Sequence, residues 1–410
     1  MMRHEGKEQL WTKNFIMMSV VNFFITLIFF LLIITIASFA VEKYDASTSA
    51  AGFVSSIFVI GALFGRLFAG RVITSFGSKK TLFYGLFFFI ALTLCYFIAM
   101  NMSLLIIIRL LHGLSLGVVT TATGTIIAQM IPNSRKGEGI GYYSMSGVLA
   151  SSIGPFIGLL LIPTVYSFQA IFTLNAILSI CCLLMYFFIN LDDYEPAAKK
   201  LVEEPSKRFN WRNYIEPKAV PVSLVALIIG FSYSGVMSFL AFYIEEINLV
   251  KAGSLFFFIY SIVVLLSRPF TGPLMDRRGA TIVIVPCLII FALGMVLFSQ
   301  ASSGVLLLTS AILIGFGYGN FNSVAQALAL KVTEKHRLGL ATATYYILFD
   351  IGLGIGPFVL GNLVSLVGYR MMFLLMVPVI LLALVLYMFI VRKKQNTDGI
   401  VTEQRGHSLN

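Results

Sequence analysis

The chain has 410 residues, of which 58% are hydrophobic and 11% are charged, and its formal net charge is +11. Its mean hydropathy of +0.92 excludes a water-soluble globule, because too few polar side chains remain to cover the surface of one. The composition therefore predicts an integral membrane protein, and no enzymatic function is expected.

Twelve stretches are long and apolar enough to cross a bilayer as helices, which takes roughly 20 residues each. They lie at residues 15–40, 49–74, 81–99, 104–130, 139–163, 165–190, 218–244, 251–275, 280–299, 304–330, 339–363 and 369–391. The first stretch is longer than the apolar part of a signal peptide and lacks a small-residue cleavage site, so we expect it to be retained. The four cysteines all lie inside these stretches without metal-ligand spacing, and no metal site is predicted.

Alternate connections between the predicted spans are basic, and short cytoplasmic loops carry such an excess of Lys and Arg. The basic connections contain Lys79 and Lys80, Arg135 and Lys136, the cations of 191–217, Arg277 and Arg278, and Lys331, Lys335 and Arg337. Both termini are therefore predicted to be cytoplasmic. The positive charge is accounted for by this topology, so no nucleic-acid partner is expected.

The longest polar stretch, residues 191–217, separates the sixth span from the seventh. We predict a cytoplasmic linker here, with an amphipathic piece around Phe209 and Trp211 at the membrane interface. The predicted domains are a six-helix bundle at 1–190, this linker, a second six-helix bundle at 218–392 and a cytoplasmic tail at 393–410.

The second half of the chain repeats the first without a gap over about ninety residues. Adding 202 to a residue number carries Arg66 to Arg268, Gly70 to Gly272, Gly77 to Gly279, Arg135 to Arg337, Gly154 to Gly356 and Pro155 to Pro357. Two bundles with the same topology suit a transporter in which one half rocks against the other around a site at their interface. The repeat thus predicts alternating access.

The loop after the eighth span reads Gly272, three residues, Asp276, Arg277, Arg278 and Gly279. This pattern resembles the loop signature of the major facilitator superfamily, and the resemblance covers the whole chain. It implies an all-α membrane protein in which twelve transmembrane helices form two pseudo-symmetric six-helix bundles.

The two copies of this loop predict gating contacts. Gly77 and Gly279 are expected to permit the sharp turn between helices, and Gly70 is predicted as a further gating residue. Asp276 is expected to latch the cytoplasmic gate against the start of the fifth span near Arg135, with Arg277 and Arg337 as further gating cations. The first half carries Thr74 in place of Asp276 and so has no such latch. The alternative is that Asp276 is an exposed loop acid.

The fourth span carries "RLLHG" at 109–113, which resembles the buried-arginine motif of the family. An arginine inside a membrane is costly unless it is paired or wetted. The resemblance implies that Arg109 lines the central cavity and takes part in proton coupling, and His112 is expected to share its helix face. Snorkelling of Arg109 and simple packing of His112 are the alternatives.

The fifth and eleventh spans carry related small-residue motifs around Gly154, Pro155, Gly356 and Pro357. The first motif resembles that of drug and proton antiporters, with Ala150 where the pattern usually has Gly. Small residues allow close helix contact and proline loosens a helix backbone. Its recurrence in both halves also fits a hinge or packing device.

Asp350 is the single acid of the predicted spans away from helix ends. It lies about 16 Å along the helix from Gly339, close to mid-membrane. There its protonation is expected to respond to substrate or to a cation such as Arg109. We predict that Asp350 is the proton site, and the alternative is a structural acid.

The resemblance also implies that the first, fourth, seventh and tenth spans line a cavity. Their mixture of aromatic and amide side chains suits an amphiphilic organic molecule. The predicted substrate-binding residues are Asn22, Phe231, Tyr233, Asn320, Asn322, Gln326 and, from the eleventh span, Tyr346.

Three functions remain open from the sequence. The favoured one is a proton-coupled exporter of a small organic compound, similar to the drug and metabolite efflux branch of the family. The others are a proton-coupled importer of a polar nutrient, such as a sugar or carboxylate, and a non-transporting receptor or scaffold. No cofactor is expected, because the proton gradient supplies the energy and nothing resembles a nucleotide-binding loop. A monomer in a bacterial plasma membrane is expected.

Overall fold

A computed structural model describes residues 9–46, 48–162, 167–190 and 211–392. The helices of the first half are α1 Lys13–Tyr44, α2 Thr48–Phe76, α3 Ser78–Cys95, α4 Met102–Met130, α5 Lys136–Leu161 and α6 Ser167–Phe187. Those of the second half are α7 Val220–Glu246, α8 Phe256–Arg278, α9 Thr281–Ser299, α10 Gly304–Lys331, α11 at 338–367 and α12 at 369–386. Positions 191–210 of the predicted linker, including Phe209, and the predicted tail at 393–410 lie outside the described residues.

The described part of the chain supplies a helix for each predicted span. Ten of its stretches are long and apolar enough to cross a membrane. The last of these, Lys335–Ile390, contains both α11 and α12, because Gly368 breaks the helix with φ 76° and ψ 168°. Helix α5, which is 26 residues long, is not among these ten stretches and matches the fifth predicted span. The prediction of an all-α membrane protein is confirmed.

The duplication read from the sequence extends to helix ends and caps. Asn101 caps α4 by accepting a hydrogen bond from the Leu104 amide, and Ser303, 202 positions later, caps α10 in the same way. Gly77 and Gly279 both have left-handed backbones, with φ 86° and 88°. They turn the chain between α2 and α3 and between α8 and α9, as predicted, because only glycine adopts this conformation without strain.

One compact unit consists of the described residues up to Glu216 together with 333–347. Within it α2 and α4 touch backbone to backbone. A Cβ added to Gly113 would overlap the Phe58 carbonyl oxygen, and one added to Gly61 would overlap that of Leu110. Small residues at membrane helix contacts permit such close approach, and here they bring α2 against the polar face of α4.

The other compact unit consists of residues 217–332 and 348–392. Its helix α10 contains a π-helical turn at Gly315–Gly319. Gly315 lies against the backbone of Tyr260, and a Cβ on Gly317 would lie 2.6 Å from the Cys287 carbonyl oxygen. Since π turns are often found at functional sites, this turn marks the polar interior of the second unit.

Candidate functional site

Arg109 lies entirely inside the first unit, with no exposed surface. Its Nε donates to the Val54 carbonyl oxygen at 3.2 Å, and its Nη1 donates to the Tyr96 hydroxyl at 3.3 Å. The guanidinium carbon lies 4.2 Å from the centre of the Phe58 ring. A carbonyl, a hydroxyl and an aromatic face thus stabilise this buried cation, while its Nη2 has no hydrogen-bond partner among the described residues.

His112 continues this network on the same face of α4, as the sequence predicted. Its Nδ1 lies 3.0 Å from the Tyr96 hydroxyl and its Nε2 lies 3.2 Å from Thr93 Oγ1. Thr93 donates its own proton to the Phe89 carbonyl oxygen at 2.7 Å. Thr93 must therefore accept from Nε2–H, and Nδ1 must accept from Tyr96.

These assignments give one directed chain of hydrogen bonds. It runs from Arg109 to Tyr96 to His112 Nδ1, and from His112 Nε2–H to Thr93. A second proton on His112 would leave Tyr96 facing two donors with no acceptor for its own hydrogen. The geometry therefore suits a neutral imidazole that positions Tyr96 and Arg109. The pairing of Arg109 with Asp350 remains a prediction.

The amide of Asn22, a predicted substrate-binding group, is engaged by α5. Asn22 Nδ2 donates to Ser146 Oγ at 2.8 Å, and the Tyr143 hydroxyl donates to Asn22 Oδ1 at 2.8 Å. The Tyr143 oxygen also lies 3.2 Å from Thr123 Oγ1. Asn22 thus connects α1 to α5 within the first unit, and one amide hydrogen remains for another partner.

Asn320, another predicted substrate-binding residue, is fully buried beside the π turn. Its Nδ2 donates to Ser267 Oγ and to the Phe316 carbonyl oxygen, each at 2.8 Å. Its Oδ1 accepts from Thr271 Oγ1 at 2.9 Å. Both amide hydrogens are used, and Asn320 thereby connects α10 to α8. Its contact with substrate remains a prediction.

Tyr233 is stacked in the interior of the second unit. Its ring lies parallel to that of Tyr318, with centroids 3.7 Å apart and planes at 13°, and near that of Tyr260 at 5.9 Å. Stacking at this distance leaves no space between the two nearest rings. Arg268 lies nearby and donates from Nη2 to the Gly319 carbonyl oxygen at 2.8 Å.

The other predicted substrate and proton residues are less enclosed. Phe231, Asn322, Tyr346 and Asp350 are half-buried, whereas Gln326 is buried. The ring of Tyr346 packs under the guanidinium of Arg66, with the guanidinium carbon 4.6 Å from the ring centre. Asp350 follows Tyr346 by one helical turn on the same face of α11.

Several predicted gating residues have their contacts within the first unit. Gly70 packs against α11, where an added Cβ would lie 3.0 Å from Ala343 Cβ and 3.1 Å from Leu340 Cδ2. Arg337 forms an ion pair with Glu216. Arg135 makes a bidentate pair with Glu138, each oxygen at 2.8 Å, within its own helix region.

In the second unit the Asp276 carboxylate lies 4.0 Å from Lys331 Nζ, with its side chain only 6% exposed. Asp276 is therefore not the exposed loop acid of the alternative interpretation, although its latch against the region of Arg135 remains a prediction. Arg277 lies exposed near the end of α8.

The two small-residue motifs lie at helix contacts. Gly154 of α5 meets Phe30 and Leu31 of α1, and Gly356 of α11 meets Ser234 of α7. Pro155 and Pro357 lie one residue further along their helices. The recurrence thus corresponds to close packing in each half.

Sequence reasoning missed the partners of two key cations, Tyr96 for Arg109 and Glu216 for Arg337. Tyr96 gave no signal, because it lies on another element and tyrosine is common near membrane helix ends. Glu216 did leave a trace. Arg135 has an acid, Glu138, three residues later, whereas the equivalent position after Arg337 is Leu340. This difference indicates that an acid paired with Arg337 must come from another segment.

Comparison with known proteins places these features in a family. The model of the Major Facilitator Superfamily matches residues 18–258 and 222–408. An uncharacterized MFS-type transporter, MJ1560 of Methanocaldococcus jannaschii, is 27% identical over 333 residues, which cover 77% of this chain and 84% of that protein. The multi-drug resistance efflux pump PmrA of Streptococcus pneumoniae is 27% identical over 278 residues, covering 67% of this chain and 69% of the pump.

Solved structures show the same fold at low sequence identity. The human organic anion transporter MFSD10 aligns with a TM-score of 0.76 at 14% identity, over 91% of this chain and 98% of its own. The transporter FucP in its outward conformation aligns with a TM-score of 0.76 at 16% identity, over 93% of this chain and 99% of its own. With its duplicated helices and loop glycines, the chain belongs to the Major Facilitator Superfamily of membrane transporters and resembles its drug efflux branch.

Proposed function

We propose that this transporter exports a small amphiphilic organic compound in exchange for protons, by alternating access. The similarity to PmrA and to the multidrug resistance protein MdtG of Escherichia coli, 26% identical over 290 residues, supports export. The basic loops support a plasma-membrane orientation with both termini cytoplasmic. A monomer without a resident cofactor satisfies this scheme.

The observation that carries the proton coupling is the position of Asp350. Among the described residues it is the sole acid more than one turn from a helix end; Glu42, Glu138, Glu245, Glu246 and Asp276 all lie in the first or last turns. A carboxyl group in mid-membrane changes its proton occupancy with the polarity and charge around it. Asp350 is half-buried rather than sealed, which suits a group that exchanges protons.

The substrate contacts that we propose take into account the hydrogen bonds that the predicted binding residues already make within the protein. The amide hydrogens of Asn320 are consumed within the second unit. Phe231 and Tyr346 are half-buried aromatic residues, and Asn322 and Gln326 carry amide groups. Aromatic surface with a few hydrogen-bonding groups suits an amphiphile better than a sugar, whose hydroxyls call for many polar partners.

Transport assays with a matched pair of variants test this proposal. In cells lacking their own efflux pumps, expression should lower the accumulation of lipophilic dyes and drugs, and a proton ionophore should abolish the difference. Asp350→Asn should lose export driven by a pH gradient in proteoliposomes. Glu245→Gln removes an exposed acid at the end of α7 and should export normally.

The outcomes separate the competing functions. Ligand-induced thermal stabilisation that persists in Asp350→Asn would show that binding survives while coupling is lost. Proton-driven export at the normal rate in Asp350→Asn would refute the role of this residue. Raised accumulation of a sugar or carboxylate on expression would favour uptake, and no change in accumulation of any panel compound would favour a receptor.

A further inference from the structure

The last part of the inter-half segment, residues 211–217, is tied to the first unit. Trp211–Asn213 form a single 3₁₀ turn, and the Tyr214 amide donates to the Trp211 carbonyl oxygen at 3.0 Å. The Tyr214 ring lies under the guanidinium of Arg71, with the guanidinium carbon 5.1 Å from the ring centre. Arg71 Nη1 also donates to the Tyr214 hydroxyl. One side of this segment is thereby attached to the end of α2.

The other attachment is made by Glu216, whose side chain is only 3% exposed. Its carboxylate accepts a hydrogen bond from Arg337 Nε, just before α11. Its backbone amide donates to Thr344 Oγ1 at 2.9 Å, and Thr344 donates to the Leu340 carbonyl oxygen at 2.7 Å. A carboxylate this buried is costly unless it is paired and hydrogen-bonded, so Glu216 is held to the first turns of α11 by two independent contacts.

The duplicated sequence shows that this attachment is particular to the second half. Arg135, the counterpart of Arg337, pairs with Glu138 three residues away. The counterpart of Glu138 is Leu340, and Leu340 packs against Gly70 of α2. Where the first half has the acid Glu138, the second half has Leu340, which does not pair with Arg337 and instead makes an apolar contact to α2. The linker supplies the acid that the helix lacks.

We propose that Tyr214 and Glu216 form a clasp, in which the linker fastens the start of α11 and the end of α2. While the clasp is closed, residues 333–347 stay packed on α2 and α4 in one compact unit. The clasp must open before these residues can separate from α2. The inference rests on the proposed alternating access, and it makes the linker a conformational control element rather than a tether.

A thiol-accessibility measurement tests the clasp without measuring transport. Leu340→Cys is introduced into the full chain after the four native cysteines are replaced by serine or alanine. Leu340 is 3% exposed, so modification by a polar maleimide in lipid nanodiscs reports separation of α11 from α2. Glu216→Gln is expected to speed this modification about tenfold, which corresponds to about 1.4 kcal/mol in the opening equilibrium.

Glu334→Gln is the matched control, because its carboxylate is 57% exposed and lies three residues before Arg337. In this variant the thiol introduced at position 340 should be modified at the parent rate. Equal rates in Glu216→Gln and Glu334→Gln would overturn the clasp. Should Glu216→Gln fail to fold, Tyr214→Phe removes only the hydroxyl bonded to Arg71 and should raise the rate by a smaller factor, whereas the parent rate in that variant would overturn the clasp. Hydrogen exchange of 333–347 in the same proteins must change in the same order.

Failure of the clasp is distinguishable from failure of the proposed function. A variant that opens faster but exports no compound supports the clasp and contradicts the exporter. A variant that exports normally but opens at the parent rate supports the exporter and contradicts the clasp.

Discussion

Each half of the transporter keeps its buried polar residues at different places. The counterparts of Tyr96, Arg109 and His112 in the second half are Phe298, Ala311 and Ile314, all apolar. Conversely Asn320 and Tyr318 correspond to Val118 and Leu116. A buried hydrogen-bond network is costly when incomplete and stabilising when every member is satisfied. The two halves therefore build their buried networks from different residues, Arg109, Tyr96 and His112 in the first half and Asn320, Ser267 and Thr271 in the second.

The first network predicts a large effect for the loss of one oxygen atom. Tyr96→Phe leaves Arg109 Nη1 without its acceptor and His112 Nδ1 without its donor, and each orphaned buried group costs about 1–3 kcal/mol. We expect a clear drop in the unfolding temperature of the purified protein in detergent. Tyr84→Phe, at a ring that is 60% exposed, is the control. Equal stability of the two variants would show that the chain of hydrogen bonds contributes nothing.

Helix spacing was enough to predict part of this site. Arg109 and His112 are three residues apart, so a shared face followed from the geometry of any α-helix. Their partners Tyr96 and Thr93 were unpredictable, since the approach of α3 to α4 depends on packing between helices. The hydrogen bonds that occupy the Asn320 amide were unpredictable for the same reason, because its partners Ser267 and Thr271 lie some fifty residues away.

At the scale of helices the sequence was a better guide. The predicted seventh and tenth spans, 218–244 and 304–330, lie close to Val220–Glu246 and Gly304–Lys331. Hydrophobic length fixes such spans, and caps such as Ser303 fix their ends. The π turn in α10 was not predicted, because its cause is the packing of Gly315 and Gly317 against α8 and α9.

The loop glycines allow a paired prediction on helix connections. Both Gly77 and Gly279 combine a positive φ with ψ near 155–161°, a region nearly closed to other residues, at a cost of about 1–3 kcal/mol. Gly77→Ala and Gly279→Ala should each lower the unfolding free energy by that amount.

Gly147→Ala is the comparison for these variants, because no atom of the described residues lies within 4 Å of a Cβ placed there inside α5. It should be neutral or stabilising by up to about 1 kcal/mol. A loop variant as stable as Gly147→Ala would contradict the strain assigned to that turn. Thermal unfolding in one detergent suffices for the three proteins.

For the molecule as a whole, the basic connections predict the orientation in the membrane. Lys80 lies in the first turn of α3, next to a basic connection, and Met100, 81% exposed, lies on a neutral connection. In a cysteine-free background, Met100→Cys should react with an impermeant reagent in intact cells, and Lys80→Cys only after permeabilisation. Labelling of Lys80→Cys in intact cells would reverse the predicted topology.

The two halves of the repeat and the two compact units are not the same division of the chain. Residues 333–347 belong to the second half by sequence but to the first unit by packing. The predicted boundary at 191–217 came from polarity alone, which reports where the chain leaves the membrane. Polarity does not indicate which helices pack together. The packing of the α11 start within the first unit could therefore not be predicted from the sequence.

The π turn in α10 has a consequence for protein engineering. Helix α4 is α-helical throughout Met102–Met130, whereas α10 contains the wider turn at Gly315–Gly319. One extra residue in a turn rotates everything after it by about 100°. We therefore expect Asn322 and Gln326 to point in different directions around the helix from Thr120 and Gly124, although each pair is 202 positions apart. Grafting 320–331 onto α4 by numerical equivalence would misdirect these amides, so the once-identical copies have ceased to be interchangeable parts.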